Sequence, residues 1–194
     1  MTSPTRSHGD DRMPPIPPSQ WSAEQRAAAA ELIAGPRGEL LGPFVPLLRS
    51  PELLDRAQRL GEYLRYRCRV PERLRELAIL IVAQHWKQGF EWAVHAPLAI
   101  RAGVAVVLIE SLAAGTVGTP DGHTPDADSR LVIDFCQQLL RTQTVDDACY
   151  ARAKALLGEA GVVDLSALCG YYSLLAMVMN VARTPLPAGR SAPF

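Results

Sequence analysis

Val70-Pro71-Glu72-Arg73-Leu74-Arg75-Glu76-Leu77-Ala78-Ile79-Leu80-Ile81-Val82-Ala83 is the stretch that decides the fold class. Proline presets φ and needs no backbone donor, so Val70-Pro71 reads as a helix start. From Leu77 to Ala83 every residue is apolar, which makes this helix apolar nearly all round instead of along one stripe. A helix with no side to give to water is a buried one. Glu76 is the acidic residue enclosed in it.

Amphipathic or apolar helices are expected on both sides of this centre. Ser50-Pro51 opens one that carries Leu53, Leu54, Ala57, Leu60 and Leu64 on one face, with Asp55, Arg56 and Arg59 on the other. Before it, Ser22 followed by Gln25 reads as a capping box for a helix that stops at Gly35-Pro36. Between these two, Gly42-Pro43-Phe44-Val45-Pro46 is expected to be an ordered loop, because two prolines remove donors and fix φ. After the central helix, Lys87-Gln88-Gly89 is a break. Phe90 to Arg101 and Val104 to Ala114 follow as helices, and Gly115 to Asp128 as a surface loop. Ser129 to Arg141, Asp146 to Gly158 and the run from about Val162 to Arg183 complete the set, with Thr144 before Asp147 read as a capping-box variant.

Nothing alternates with period two, so the expected class is all-α: a single-domain bundle of about seven to eight helices. Residues 1–20, rich in proline and polar side chains, are expected to be a flexible arm; 21–187 form the helical domain and 188–194 an irregular tail. Of the 194 residues 48% are apolar, enough for a substantial core.

Twenty basic residues balance twenty acidic ones, so no field exists to hold a polyanion, and nucleic acid is not an expected partner. The N-terminus lacks the apolar run of a signal peptide, and a cytoplasmic setting is expected. The uncharged stretch Leu165 to Val181 reaches only the lower length limit for a membrane span and carries Ser166, Tyr171, Tyr172, Ser173 and Asn180. It reads as a helix buried in protein, with no membrane partner. Cys68, Cys136, Cys149 and Cys169 are widely spaced, without C-x-x-C or zinc-type clustering, and are expected to be packed thiols.

The residues that suit chemistry are Glu76, Glu91 and His95. Four positions separate Glu91 from His95, so at about 100° per residue they share a helix face and can bond. A carboxylate beside an imidazole favours the charged ring and fixes its tautomer, which makes an acid/base pair. The competing reading is structural: such pairs also occur on ordinary helix faces, and Glu76 has Arg73 and Arg75 close by in sequence. His85 lies nine positions after Glu76, on the opposite side of a continuous helix, and is left out of the site. His8 and His123 fall in segments expected to be flexible and solvated. Two carboxylates and an imidazole also suit iron or manganese, but no E-x-x-H or H-x-x-x-H pair supports a metal, and none is assigned. Gln88, Trp92, Trp86, Phe44 and Tyr172 are the candidate substrate-binding residues, with core or interface packing the competing reading for the aromatic ones.

Glu76 within Leu74 to Leu80, together with Phe90-Glu91-Trp92 and His95, resembles the carboxymuconolactone decarboxylase family of the alkylhydroperoxidase D-like superfamily. So do Gly42-Pro43-Phe44, Ser50-Pro51, Ala102-Gly103-Val104, and Gly170-Tyr171-Tyr172 with Asn180; the similarity runs from about Glu39 to Pro187. The resemblance implies an all-helical fold of that superfamily type and a homo-oligomer: dimer, trimer or hexamer. In the redox branch a Glu is followed by Cys-x-x-Cys and a His. Matching Glu76 and His95 to that pattern puts Gln88 and Glu91 at the cysteine positions, and neither forms the thiolate that peroxide reduction needs. The decarboxylase branch acts on a small lactone acid without metal or organic cofactor. That resemblance implies an enzyme with a small-molecule substrate, with His95 as proton donor, Glu91 orienting it and Glu76 a second acid or base. A non-catalytic helical oligomer that binds a small molecule, with the same three residues as a buried polar network, stands as the alternative.

Overall fold

The computed structural model describes residues 11–120 and 122–194, and His8 with the first half of the expected arm lies outside them. Among the described residues there are eight α-helices and no strand: α1 (Ala23–Ala34), α2 (Phe44–Leu47), α3 (Pro51–Tyr66), α4 (Glu72–His85), α5 (Gly89–Arg101), α6 (Val106–Ala114), α7 (Ala127–Thr142) and α8 (Asp147–Ala182). The all-α class expected from the sequence is what forms.

The all-round apolar helix is the axle of the bundle. Every residue of α4 from Glu76 to Ala83 is buried, and α4 packs against α5, α6, α7 and α8. Surrounding helices present one apolar side to it: α7 buries Leu131, Val132, Ile133, Phe135 and Cys136, and α8 buries Leu165, Leu168, Cys169, Leu175 and Met179. α3 lies outside this layer, between α1 and α8, with Arg56 and Arg59 facing water.

Local chemistry sets the helix ends. Ser22 and Gln25 form the reciprocal capping box that the sequence indicates. For α8 the cap is Asp146, whose carboxylate accepts from the Cys149 amide, and Thr144 takes no part. The segment 42–46 holds one helical turn where the two prolines led to an expected loop. Leu47 and Leu48 amides donate to the Pro43 and Phe44 carbonyls, and the prolines sit in the first turn, where helix amides have no intrahelical acceptor in any case.

Residues 11–20, expected to be flexible, run against the body. The Arg12 amide donates to the Ala182 carbonyl, Arg49 reaches the Pro14 carbonyl, and the Trp21 indole N–H donates to the Ile16 carbonyl. A proline-rich strand has few amides to satisfy, so a few anchors suffice to lay it down. The tail after Thr184 has no regular structure, yet Phe194 packs edge-on against Trp92 at 5.4 Å between ring centres.

α8 is long and apolar enough, by length and composition, to cross a membrane, but 61% of its apolar window is buried inside the protein. It is also broken. Gly158 has φ 70° and ψ 171°, which divides the element into the two helices read from the sequence. That backbone region is essentially closed to residues with a Cβ. No neighbouring atom lies within 4 Å of the position such a Cβ would take, so strain and not collision opposes substitution. Gly158→Ala should therefore lower stability by about 2 kcal/mol, a fall of roughly 4–8 °C in Tm, measurable by calorimetry. An unchanged Tm would show that the break is not imposed by this residue.

Candidate functional site

α4 and α5 run side by side, and the site lies where they face each other. Glu76 projects from the first half of α4, while Glu91 and His95 stand one turn apart on α5. The three meet. His95 Nδ1 is 2.7 Å from Glu76 Oε2, and His95 Nε2 is 3.3 Å from Glu91 Oε2. All are buried, at 3% exposure for Glu76, 4% for Glu91 and 2% for His95. Neither arginine near Glu76 in sequence competes for it: Arg73 pairs with Asp126 and Ser129, and Arg75 donates to the Val70 carbonyl.

Electrostatics within the cluster favour a charged imidazole. Burial alone pushes the His95 pKa down, but the bonds from Glu76 and then Glu91, with their negative charge, outweigh it and hold the pKa above the ordinary histidine value. Carboxylates only accept, so Nδ1 donates to Glu76 and the ring is held in one orientation. Tyr172 stands edge-on to the ring at 5.3 Å, and Tyr171 stands edge-on to Tyr172. Burial raises both phenols, Tyr171 to about 12, so each is a neutral hydroxyl near neutral pH.

A cleft of about 300 Å³ opens beside this cluster. Glu91, His95, Phe44 and Tyr172 line it, and Glu76 does not. Of the two acids on the ring, Glu76 at Nδ1 stays outside the lining and Glu91 at Nε2 is part of it.

Three of the candidate substrate-binding residues are placed elsewhere. Gln88 caps α5 by accepting from the Phe90 amide, and its amide group donates to Asn180 Oδ1 at 2.9 Å. Asn180 in turn donates to the Trp86 carbonyl, and the Trp86 indole donates to Ser173 Oγ. These bonds fasten the sharp α4–α5 turn, where Lys87 has φ 50°, to α8. Trp92 is covered by Phe194. Gln88, Trp86 and Trp92 thus support the site from behind without lining it.

Arg37 and Arg65 line the cleft and were not singled out from the sequence. One signal was available for Arg65. On α3, Arg56 and Arg59 pair with acids four residues earlier, Glu52 and Asp55, whereas the residue four before Arg65 is Gly61. Neither Arg37 nor Arg65 forms a salt bridge among the described residues. Arg37 lies on a turn, and no local pattern pointed to it. His85 is exposed and apart from the cluster, as its helical phase indicated, and His123 is half-buried with its amide bonded to Ser111.

No cysteine lines the cleft. Cys136, Cys149 and Cys169 are buried, with Cys136 and Cys169 sulfurs 3.5 Å apart. The bond to Cys169 and burial raise the Cys136 thiol well above the usual range, and burial raises Cys149, which disfavours a thiolate at either of these two.

Residues 51–123, which span α3 to α6 and contain Glu76, Glu91 and His95, match the model of the Carboxymuconolactone decarboxylase family. No curated protein matches the chain.

The raised His95 pKa has a consequence for stability. A group whose pKa is higher folded than unfolded contributes stability that is fully present below its unfolded value, about 6.5, and is lost as pH rises through the folded value. Denaturant titrations from about pH 6 to pH 9 should show the wild type losing more stability than His95→Gln over that span. Parallel pH profiles for the two proteins would contradict the placement of a charged His95 between Glu76 and Glu91.

Proposed function

We propose that this protein, through its carboxymuconolactone decarboxylase family segment, is an enzyme that moves a proton on a small oxygenated acid or lactone without a cofactor. Decarboxylation is the first choice of reaction, with an allied isomerase, hydrolase or other lyase step open to the same groups. The carrying observation is a buried imidazole with Glu76 on one nitrogen and Glu91 on the other, the Glu91 side bordering a cleft.

Loss of carbon dioxide breaks a carbon–carbon bond and leaves its electron pair to flow into a conjugated carbonyl. The site must stabilise the resulting enolate-like oxygen and return a proton to carbon. His95 is suited to deliver that proton from Nε2, because the two carboxylates beside it raise its pKa and favour the charged ring. Glu76 is a positioning residue: it accepts from Nδ1, fixes the ring and supports its charge. Decarboxylation consumes the proton that His95 gives up, and Glu91, which lines the cleft beside Nε2, passes a replacement from solvent to the ring. Tyr172, a neutral phenol whose ring meets that of His95 and lines the cleft, is a hydroxyl donor for a developing oxyanion. A peroxidase reading finds no support in the thiols, none of which lines the cleft.

The non-catalytic reading draws on the same burial, since a polar trio this dry also fixes the register of α4 on α5. Exposed Ile33 on α1 with Leu53 and Leu60 on α3 supports assembly with further copies of the chain under either reading.

Against a panel of small γ-lactone carboxylates, His95→Ala should lower kcat by at least about a hundredfold while the helical circular-dichroism signal is retained. Full activity in that variant would remove His95 from the chemistry, and loss of fold or assembly without loss of rate per folded molecule would favour the structural reading. Glu76→Gln should lower kcat and move the alkaline limb of its pH profile to lower pH, because the imidazolium loses its strongest support. An unmoved limb would deny Glu76 its positioning role.

A further inference from the structure

Arg37 occupies an unusual position for a surface-loop arginine. It is half-buried, its guanidinium carbon lies 4.6 Å from the centre of the Phe44 ring, and its Nη2 is 3.5 Å from the Tyr171 hydroxyl. Its Nε is fully buried with no hydrogen-bond partner. With Nε shut away by the protein, a ligand in the cleft meets this guanidinium through its Nη atoms, of which only Nη2 has a protein partner among the described residues.

α3 is shaped to admit this side chain. Gly61 sits inside the helix, where glycine is less stable than alanine. A methyl group at that position would collide with the Tyr171 hydroxyl and with Arg37 Nη2. The missing side chain is therefore the space into which the guanidinium and the phenol fit. Stacking on Phe44 fixes the plane of the fork, and the planar fork matches a carboxylate in a way an ammonium does not.

The charges around it leave room for an anion. Arg37 and Arg65 line the cleft without a salt-bridge partner among the described residues, alongside His95, whose pKa is raised. Glu91 is engaged with His95, and Glu39, the other acid of the lining, is exposed.

We infer that Arg37 is the residue that holds a substrate carboxylate, gripping it through the guanidinium fork and so placing the rest of the molecule against His95. This rests on the reading of the cleft as a substrate site for an oxygenated acid. Arg37 precedes the family-matched segment at 51–123, so the specificity it confers belongs to this chain's own N-terminal part. The carboxylate held by Arg37 is the one that stays on the molecule. A carboxylate about to be lost gains nothing from a tight grip on its charge, because that charge leaves the carboxyl group in the transition state.

The test uses two probes that differ only in the charged group: γ-butyrolactone-γ-carboxylate and uncharged γ-butyrolactone, titrated by NMR chemical-shift mapping into the full chain. The wild type should bind the carboxylate at least about tenfold more tightly. Arg37→Gln should abolish that preference with Tm unchanged, and Arg37→Lys, which keeps the charge but not the fork, should restore only part of it. No preference in the wild type, an undiminished preference in Arg37→Gln, or full preference in Arg37→Lys would each overturn the inference. Its fate is separable from that of the proton-transfer reading. Loss of preference in Arg37→Gln with no turnover of any lactone acid by the wild type sinks the reaction and leaves the anchor standing; turnover with an undiminished preference does the reverse.

Discussion

The bond between Glu76 and His95 is the constraint on which the rest depends. Glu76 is enclosed in the one helix that has no water-facing side, so its carboxylate has to be met from a neighbouring element. Leaving such a charge unpaired costs about 3–5 kcal/mol, more than any single cap or surface ion pair contributes. α5 must therefore lie against α4 in the register that brings His95 to Glu76. Once it does, Glu91 arrives one turn earlier on the same face of α5 and completes the trio. The bonds from Gln88 and Asn180 that fasten the α4–α5 turn to α8 serve this same register, at the end of the helices where the chain reverses.

The site is assembled from three parts of the chain with different tasks. The family-matched segment supplies the buried trio Glu76, Glu91 and His95. The part before it supplies Phe44 and Arg37, the matched segment adds Arg65 and Phe90, and the long helix α8 supplies Tyr172, so the walls of the cleft and its two arginines come from both inside and outside the matched residues. Walls drawn from several parts of a scaffold can vary while a central trio stays, which is how one fold comes to host several reactions.

Much of this was legible in the sequence, for physical reasons that differ from element to element. The run from Leu77 to Ala83 announced a central helix, because no other arrangement buries an all-round apolar surface. The i,i+4 spacing of Glu91 and His95 announced their contact. What the sequence carried less clearly was which side of each residue faces the cleft. Glu76 and Glu91 look alike as acids near His95, and only the packing of α4 against α5 assigns one to the closed side of the ring and the other to the open side. Gln88, Trp86 and Trp92 looked like pocket residues because of their chemistry, yet each is drawn into a bond or stack with α8 or the tail that local pattern cannot reveal. Arg37 was invisible for the opposite reason: it sits on a turn with no periodicity, and its partners Phe44, Gly61 and Tyr171 are brought to it by the fold.

One measurement bears on the central claim most directly: NMR of the His95 ring nitrogens as a function of pH. A ring clamped between Glu76 and Glu91 should show Nδ1 protonated throughout the range in which the fold persists, and should titrate at Nε2 with a pKa above the ordinary histidine value of about 6.5. A pKa at or below that value, or a neutral ring with its proton on Nε2 and Nδ1 bare, would contradict the account.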